Sequence, residues 1–192
     1  MSNDNSTSNK DDTSNQIIND NDITHGTVVF PNKDTYHGEI RDRKKNGNGK
    51  YTFSNGDIYK GNFINGLFNG HGIYTYANSQ TVYEGEWVNG KKSGNGIIKF
   101  GNGDVFTGEF IEGEIKQGTL EFHNGEKYIG EFFLGKFHGK GTYHYLNGET
   151  YEGDWENDMR NGKGKYTFTD KSEIEGMWRD NNFINKNDEE EN

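Results

Sequence analysis

The sequence predicts an all-β protein: one elongated, twisted antiparallel sheet of consecutive β-hairpins, about 14 strands long by strand-pattern reading. Three observations carry that prediction. Short stretches alternate apolar and polar side chains with a period of two, not 3.6. The stretches are of two kinds that recur at a near-constant spacing along the chain. Glycine and asparagine punctuate the stretches, and no segment reads as a helix.

The first kind of stretch is an apolar residue, then Gly, then a large apolar residue. Tyr36, Tyr59, Tyr83, Phe106, Tyr128, Tyr151 and Ile174 each stand two residues before a glycine, and those glycines step by 23, 24, 23, 22, 23 and 23. Two residues past each glycine stands Ile40, Phe63, Trp87, Phe110, Phe132, Trp155 or Trp178. The second kind begins on glycine, as in Gly49-x-Tyr51-x-Phe53 and Gly72-x-Tyr74-x-Tyr76, and Gly26-x-Val28-x-Phe30 opens the series. Alternation puts the rings and glycines of both kinds on one face and the polar side chains on the other.

Turn chemistry agrees. Asn55-Gly56, Asn102-Gly103, Asn124-Gly125 and Asn147-Gly148 join the second kind to the next copy of the first. A two-residue Asn-Gly loop would pair Thr52 with Tyr59 and mix the faces, whereas a three-residue loop Ser54–Gly56 pairs Tyr51 with Tyr59. The other connection, such as Val88–Asn95, reads as a longer Gly-rich loop. Such a sheet has no second layer, so glycine gaps must let rings lie flat on the backbone. The remaining aromatic surface is expected to form a groove.

Composition bounds the rest. Of 192 residues only 28% are hydrophobic, and half of these are aromatic; the chain has 28 Gly, one Pro and no Cys. Disulfides and thiolate metal sites are thereby excluded. No apolar run approaches the ~20 residues of a membrane span, and the start of the chain lacks a signal-peptide core. Net charge is −10. Residues 1–24 and 179–192 are acidic, Asn-rich and glycine-free, which predicts disordered tails around a repeat domain at 25–178.

The pattern Y-E-G-E-W-x-x-G-x-x-x-G-x-G-x-x-x-F-x-x-G-D at 83–104 resembles the MORN (membrane occupation and recognition nexus) repeat. The resemblance extends over residues 25–178, about six and a half copies. The copy at 59–82 has gained a residue near Ala77–Gln80, and the copy at 106–127 has lost one near Glu114–Gln117. The resemblance implies a MORN-repeat solenoid acting as a scaffold in cytoskeletal, ciliary or membrane-apposed assemblies, with an intracellular, cytoplasmic location.

Enzymatic chemistry is not expected. Gly85-x4-Gly90-Lys91 and Gly130-x4-Gly135-Lys136 approach a phosphate-binding loop, but Lys92 and Phe137 replace the required Ser or Thr and no helix follows. Glu39, Glu86, Glu109, Glu131 and Asp154 form one acidic rung per repeat, ~9.6 Å apart by strand spacing. That is too far for one shared cation, and the rungs read as a solvated face. No cofactor and no metal site is predicted.

The expected function is therefore binding. The groove residues assigned to a partner peptide or helix are Tyr59, Phe63, Tyr83, Trp87, Tyr128, Phe132, Tyr151, Trp155 and Trp178. A terminal edge at Ile174, Trp178, Phe183 and Ile184 is assigned to self-association or capping, with a homodimer as the simplest form. The alternatives are a phospholipid-binding module and a self-assembling structural protein. Net acidity limits anionic-lipid binding to weak contacts at Arg41–Lys45 and Lys91–Lys92, and no basic stripe supports nucleic-acid binding.

Overall fold

The computed structural model describes residues 23–185, and the segments assigned to acidic tails lie mostly outside them. Fifteen strands follow one another: Thr24–Val29 (β1), Thr35–Arg41 (β2), Lys44–Thr52 (β3), Ile58–Ile64 (β4), Leu67–Tyr76 (β5), Thr81–Val88 (β6), Lys91–Lys99 (β7) and Val105–Ile111 (β8). Glu114–Glu121 (β9), Lys127–Phe133 (β10), Lys136–His144 (β11), Thr150–Glu156 (β12), Met159–Thr167 (β13), Glu173–Arg179 (β14) and Asn182–Ile184 (β15) complete the series. They form one open sheet in which every strand is antiparallel to its sequence neighbours.

The three-residue loop is as parity requires. Tyr51 pairs with Tyr59 and Thr52 with Ile58, so both faces stay consistent. The Phe53 amide donates to the Asp57 carbonyl at 2.9 Å, the Gly56 amide to the Phe53 carbonyl at 3.0 Å, and Gly56 has φ +93°. The added residue near Ala77–Gln80 is absorbed by lengthening this kind of loop, between Tyr76 and its partner Thr81.

The other connection differs from expectation. Val88–Asn95 is not a loop: the strands close on a two-residue turn, Asn89-Gly90, with φ +50° and +83°, and Val88 pairs directly with Lys91. Two positive φ values give the twist that matches the flanking strands. The glycines read as loop material instead form a bulge. Gly85 pairs with Gly96 but Glu86 with Ser93, so Gly94 and Asn95 are inserted opposite a continuous ladder. The lost residue near Glu114–Gln117 shortens the bulge: Glu109 faces Gln117 and Phe110 faces Ile115, leaving only Lys116 extra.

A further correction concerns the C-terminal end. The repeat domain was expected to end at residue 178, but β15 pairs with its last strand through Met177–Ile184, Trp178–Phe183 and Arg179–Asn182, so that Phe183 and Ile184 cap the edge there. Three residues with neither glycine nor alternation left no strand signal in the sequence. Their pairing comes from the turn at Asp180-Asn181 (φ +47° and +69°) and the packing of Phe183 on Trp178.

Candidate aromatic groove

The floor of the face is built from the first kind of strand. Tyr36, Tyr59, Tyr83, Tyr128 and Tyr151 have no exposed surface. Each ring lies on two facing glycines. A Cβ placed on Gly72 would stand 2.4–2.6 Å from Tyr59 Oη, Cε2 and Cζ, and one on Gly61 would stand 2.6 Å from Tyr59 Oη. Only glycine leaves that space. The tyrosine hydroxyls donate to the carbonyl three residues on, Tyr36 to Glu39 at 2.6 Å and Tyr59 to Asn62 at 2.9 Å, beside the bulge where the ladder is interrupted. Burial pushes the Tyr36, Tyr59, Tyr83 and Tyr151 phenols up to about 12.

Rings also couple one repeat to the next. Tyr36 meets Phe63, Tyr59 meets Trp87, Tyr83 meets Phe110, Phe106 meets Phe132, Tyr128 meets Trp155, and Tyr151 meets Trp178, all edge to face at 5.0–5.4 Å. This ladder replaces the absent second layer, at ~0.5–1.5 kcal/mol per pair beyond area burial. Trp87, Trp155 and Trp178 anchor their indole N–H on the carbonyls of Gly72, Gly141 and Gly164 at 3.0–3.3 Å.

All nine residues assigned to the groove lie in this floor, at 0–5% relative exposure. The surface that solvent reaches is supplied by a second set, chiefly the half-buried Phe30, Phe53, Tyr76, Tyr145 and the rings beside them. Both sets alternate onto the same face, so period alone does not separate them; the placement of glycine does. Nine positions past the first-kind apolar residues stand Lys45, Phe68, Lys92, Ile115, Phe137, Arg160 and Phe183, and Phe68, Lys92, Phe137 and Arg160 lie over the rings of Tyr59, Tyr83, Tyr128 and Tyr151. Phe68 stacks on Tyr59 and Phe137 on Tyr128, both at 3.8 Å. Lys45 Nζ lies 4.1 Å from the Tyr51 ring centre, Lys92 Nζ 5.0 Å from Tyr83, and the Arg160 guanidinium 4.4 Å from Trp178. Burial holds the Lys45 ammonium below the usual lysine range. The groove of this acidic chain thus carries cations seated on rings. One cleft, about 350 Å³, is lined by Phe53, Phe68, Tyr74, Tyr76, Trp87 and Lys92 among others.

Two structural roles escaped the sequence. The acid that closes five of the three-residue loops, Asp34, Asp57, Asp104, Glu126 or Glu149, reaches across to the following loop. Asp57 accepts the Ala77 amide at 2.8 Å and the Tyr74 hydroxyl at 3.0 Å; Glu126 accepts Tyr143 at 2.8 Å, and Glu149 accepts Tyr166 at 2.5 Å. The bond from the Ala77 amide, first among several, holds the Asp57 carboxyl below its ordinary value, and the Tyr51 hydroxyl does the same for Asp34. The acidic rungs are similarly employed. Glu39, Glu131 and Asp154 accept the bulge amides of Asn48, Lys140 and Lys163 at 2.8–3.1 Å. Every buried side-chain polar atom among the described residues has a partner.

The resemblances to a phosphate loop dissolve in this geometry. Gly85 lies mid-strand under the Tyr83 ring, while Gly90 belongs to the hairpin turn. Among the described residues no group of three or more His, Asp and Glu is placed to hold a metal ion.

A single sheet of stacked hairpins, coupled through a ring ladder and bearing an open groove, defines a β-hairpin repeat protein. The MORN repeat matches residues 36–58, 59–81, 83–105, 128–150 and 151–173, more than half of the chain, and the chain belongs to this family. The segment 106–127, which falls outside the matches, is where Phe106 replaces tyrosine and the bulge is shortened. In fold the chain is similar to the TCP domain of Drosophila melanogaster SAS-4 (dCPAP), solved in complex with a proline-rich motif of Ana2 (dSTIL). Identity is 15%, the alignment covers 93% of this chain and 97% of that chain, and the TM-score is 0.50. The TCP10c domain of Drosophila melanogaster Sas-4 is 18% identical, with 81% of this chain and 100% of that chain covered and a TM-score of 0.43. No curated protein matches the chain as a relative.

Proposed function

We propose that this protein is a non-enzymatic scaffold whose aromatic groove receives an extended segment of a partner protein, in an intracellular cytoskeletal, ciliary or membrane-apposed assembly. The observation that carries the reading is the row of half-buried rings and ring-seated cations over a rigid, fully buried floor. Such a surface offers aromatic contact at little ordering cost, because the rings are already fixed. The partner segment is apolar with interspersed carboxylates, to meet Lys45, Lys92 and Arg160.

Spacing favours an extended partner over a helical one. The repeat advances ~9.6 Å, two strand spacings. A polyproline-type segment repeats its face every three residues, ~9.3 Å, whereas a helix returns after seven residues, ~10.5 Å. Across six repeats the first drifts by roughly 2 Å and the second by roughly 5 Å. The Drosophila domain of similar fold, solved with a proline-rich motif, is in keeping with this choice.

The test compares the tagged wild-type chain with the double variant Tyr76→Ser/Lys92→Glu in its own cell. Both residues line the cleft on the solvent side of the fully buried floor. The wild type is expected at a defined structure and in the detergent-insoluble fraction, with the variant released while its circular dichroism shows the sheet still folded. Equal retention of both would refute the groove as the contact surface. Release of the wild type from a membrane pattern by detergent would move the reading to the lipid alternative.

A further inference from the structure

The two ends of the sheet are incomplete in opposite ways. In a complete repeat, the second kind of strand makes two contacts with the strand before it. Its first residues pair beyond the bulge, as Met159 and Arg160 pair with Glu156 and Trp155. Its later residues pair before the bulge, as Gly164 and Tyr166 pair with Gly153 and Tyr151. At the C-terminal end only the first contact exists. β15 pairs with Met177, Trp178 and Arg179, and among the described residues no strand covers the outer edge of Glu173–Gly176. At the N-terminal end only the later part exists. β1 carries the Gly26-x-Val28-x-Phe30 half, pairs with β2 through Gly26–Gly38 and Val28–Tyr36, and has no described strand before it.

Glycine marks the vacancy. The glycines equivalent to Gly26 are Gly49, Gly72, Gly96, Gly118, Gly141 and Gly164, and the ring of the preceding first-kind strand lies within 2.2–2.7 Å of a Cβ built on each. A Cβ built on Gly26 would meet only Ile40 Cδ1, at 3.4 Å. Among the described residues nothing else fills the space over Gly26, whereas an added strand would place an apolar side chain there, as Ile174 of a second copy would in the register of β2–β3. The other half agrees. Met177 occupies the rung position where Glu39, Glu131 and Asp154 hold bulge amides. A junction between separate chains has no continuous bulge to hold.

We infer that copies of this chain join head to tail, β1 of one copy adding to the open edge of β14 of the next, so that β15 and β1 together form one complete second-kind strand. The register follows from β2–β3, where Gly38 pairs with Gly49 and Tyr36 with Tyr51. It sets Gly26 opposite Gly176, Thr27 opposite Glu175, Val28 opposite Ile174 and Val29 opposite Glu173 of the neighbour. None of these four positions on β14 is used by β15. Within the sheet the two ends differ in charge: residues 23–45 carry five Lys/Arg against three acids, a net of +2, and residues 169–185 carry two against four, a net of −2, while the segments beyond them, 1–22 and 186–192, are both acidic. The interface is heterologous, which gives open filaments, or rings where the twist closes. It goes beyond the groove reading and does not depend on it.

The absence of native cysteine makes the test clean. The full chain carrying Thr27→Cys and Glu175→Cys is oxidised at increasing concentration. Within one copy these positions lie at opposite ends of the sheet, ~60 Å apart by strand spacing, beyond the ~7 Å reach of a disulfide. The expected result is a ladder of covalent dimers, trimers and longer species on a non-reducing gel. Thr27→Cys alone or Glu175→Cys alone should give at most slow dimers. Sedimentation of the cysteine-free chain should show mass rising with concentration. Gly26→Val, which fills the junction but little occupied space within the copy, should abolish that rise at an unchanged melting temperature. A chain that stays monomeric at its highest soluble concentration with no ladder overturns the inference. So does Glu175→Cys alone cross-linking as fast as the pair, which would indicate a symmetric tail-to-tail contact.

Discussion

The Gly72→Ala substitution isolates what holds a single-layer sheet together. A Cβ at Gly72 would stand 2.4 Å from Tyr59 Oη and 2.6 Å from Cε2 and Cζ. The ring has nowhere to go, because Phe68 stacks on its other face at 3.8 Å. Relief requires moving the ring off its glycines, an overpacking cost of about 1–3 kcal/mol. The shift weakens the hydroxyl bond to the Asn62 carbonyl, about 1 kcal/mol, and the edge contacts with Phe63 and Trp87, about 0.5–1.5 kcal/mol each. Removing a strand glycine returns about 0.5–1 kcal/mol. The net expectation is a loss of about 2–6 kcal/mol. Gly26→Ala is the control: the same change meets only the flexible end of Ile40, at 3.4 Å, and should be neutral or slightly stabilising. Urea unfolding followed by tryptophan fluorescence reads both, since Trp87 lies 5.4 Å from the Tyr59 ring. Equal midpoints for the two variants would refute the ring-on-glycine account.

Other outcomes are as specific. Trp87→Ala removes a floor ring with three aromatic neighbours at 5.2–5.4 Å and should cost about 3–5 kcal/mol in a calorimetric or urea measurement. Asp57→Ala leaves the Ala77 amide and Tyr74 hydroxyl without their acceptor and should lower urea stability by about 1–3 kcal/mol, with Asp57→Asn recovering part. The buried phenols at about 12 stand above the ordinary value near 10. Their contribution is therefore complete below pH ~10 and lost as pH rises toward 12, so phenolate absorbance and loss of sheet circular dichroism should appear together in that window. The lowered Asp34, Asp57 and Glu126 carboxyls act in the other direction. Their contribution is complete above the usual carboxylate range and disappears as pH falls below it, so thermal stability should drop on that side.

Much of this architecture was legible because parity is strict. A period of two with glycine at fixed positions leaves one face for the rings, and the pairing of Tyr51 with Tyr59 follows from loop length alone. The bulge was illegible for a physical reason: Gly94-Asn95 reads as loop, and only the register between Gly85 and Glu86 reveals that pairing resumes. The buried carboxylates were hidden too, because Asp57 in an Asn-Gly-Asp loop looks solvated until the next repeat is stacked on it. Floor and rim share one alternation, so Tyr59 and Tyr76 were indistinguishable in the sequence. They are separated by the glycines beneath Tyr59 and by Phe68 above it.

Because each strand is hydrogen-bonded only to its sequence neighbours, the chain enters the sheet at one end and leaves at the other. A pull between the two ends therefore runs across the strands and meets their hydrogen bonds one pair at a time. Hairpins should open in succession at low force instead of yielding together. Each 23-residue unit would release roughly 75–80 Å of extended chain in exchange for ~9.6 Å of sheet. A protein tethered at both ends would lengthen in graded steps under load and shorten again when released, a mechanical property set by strand order alone.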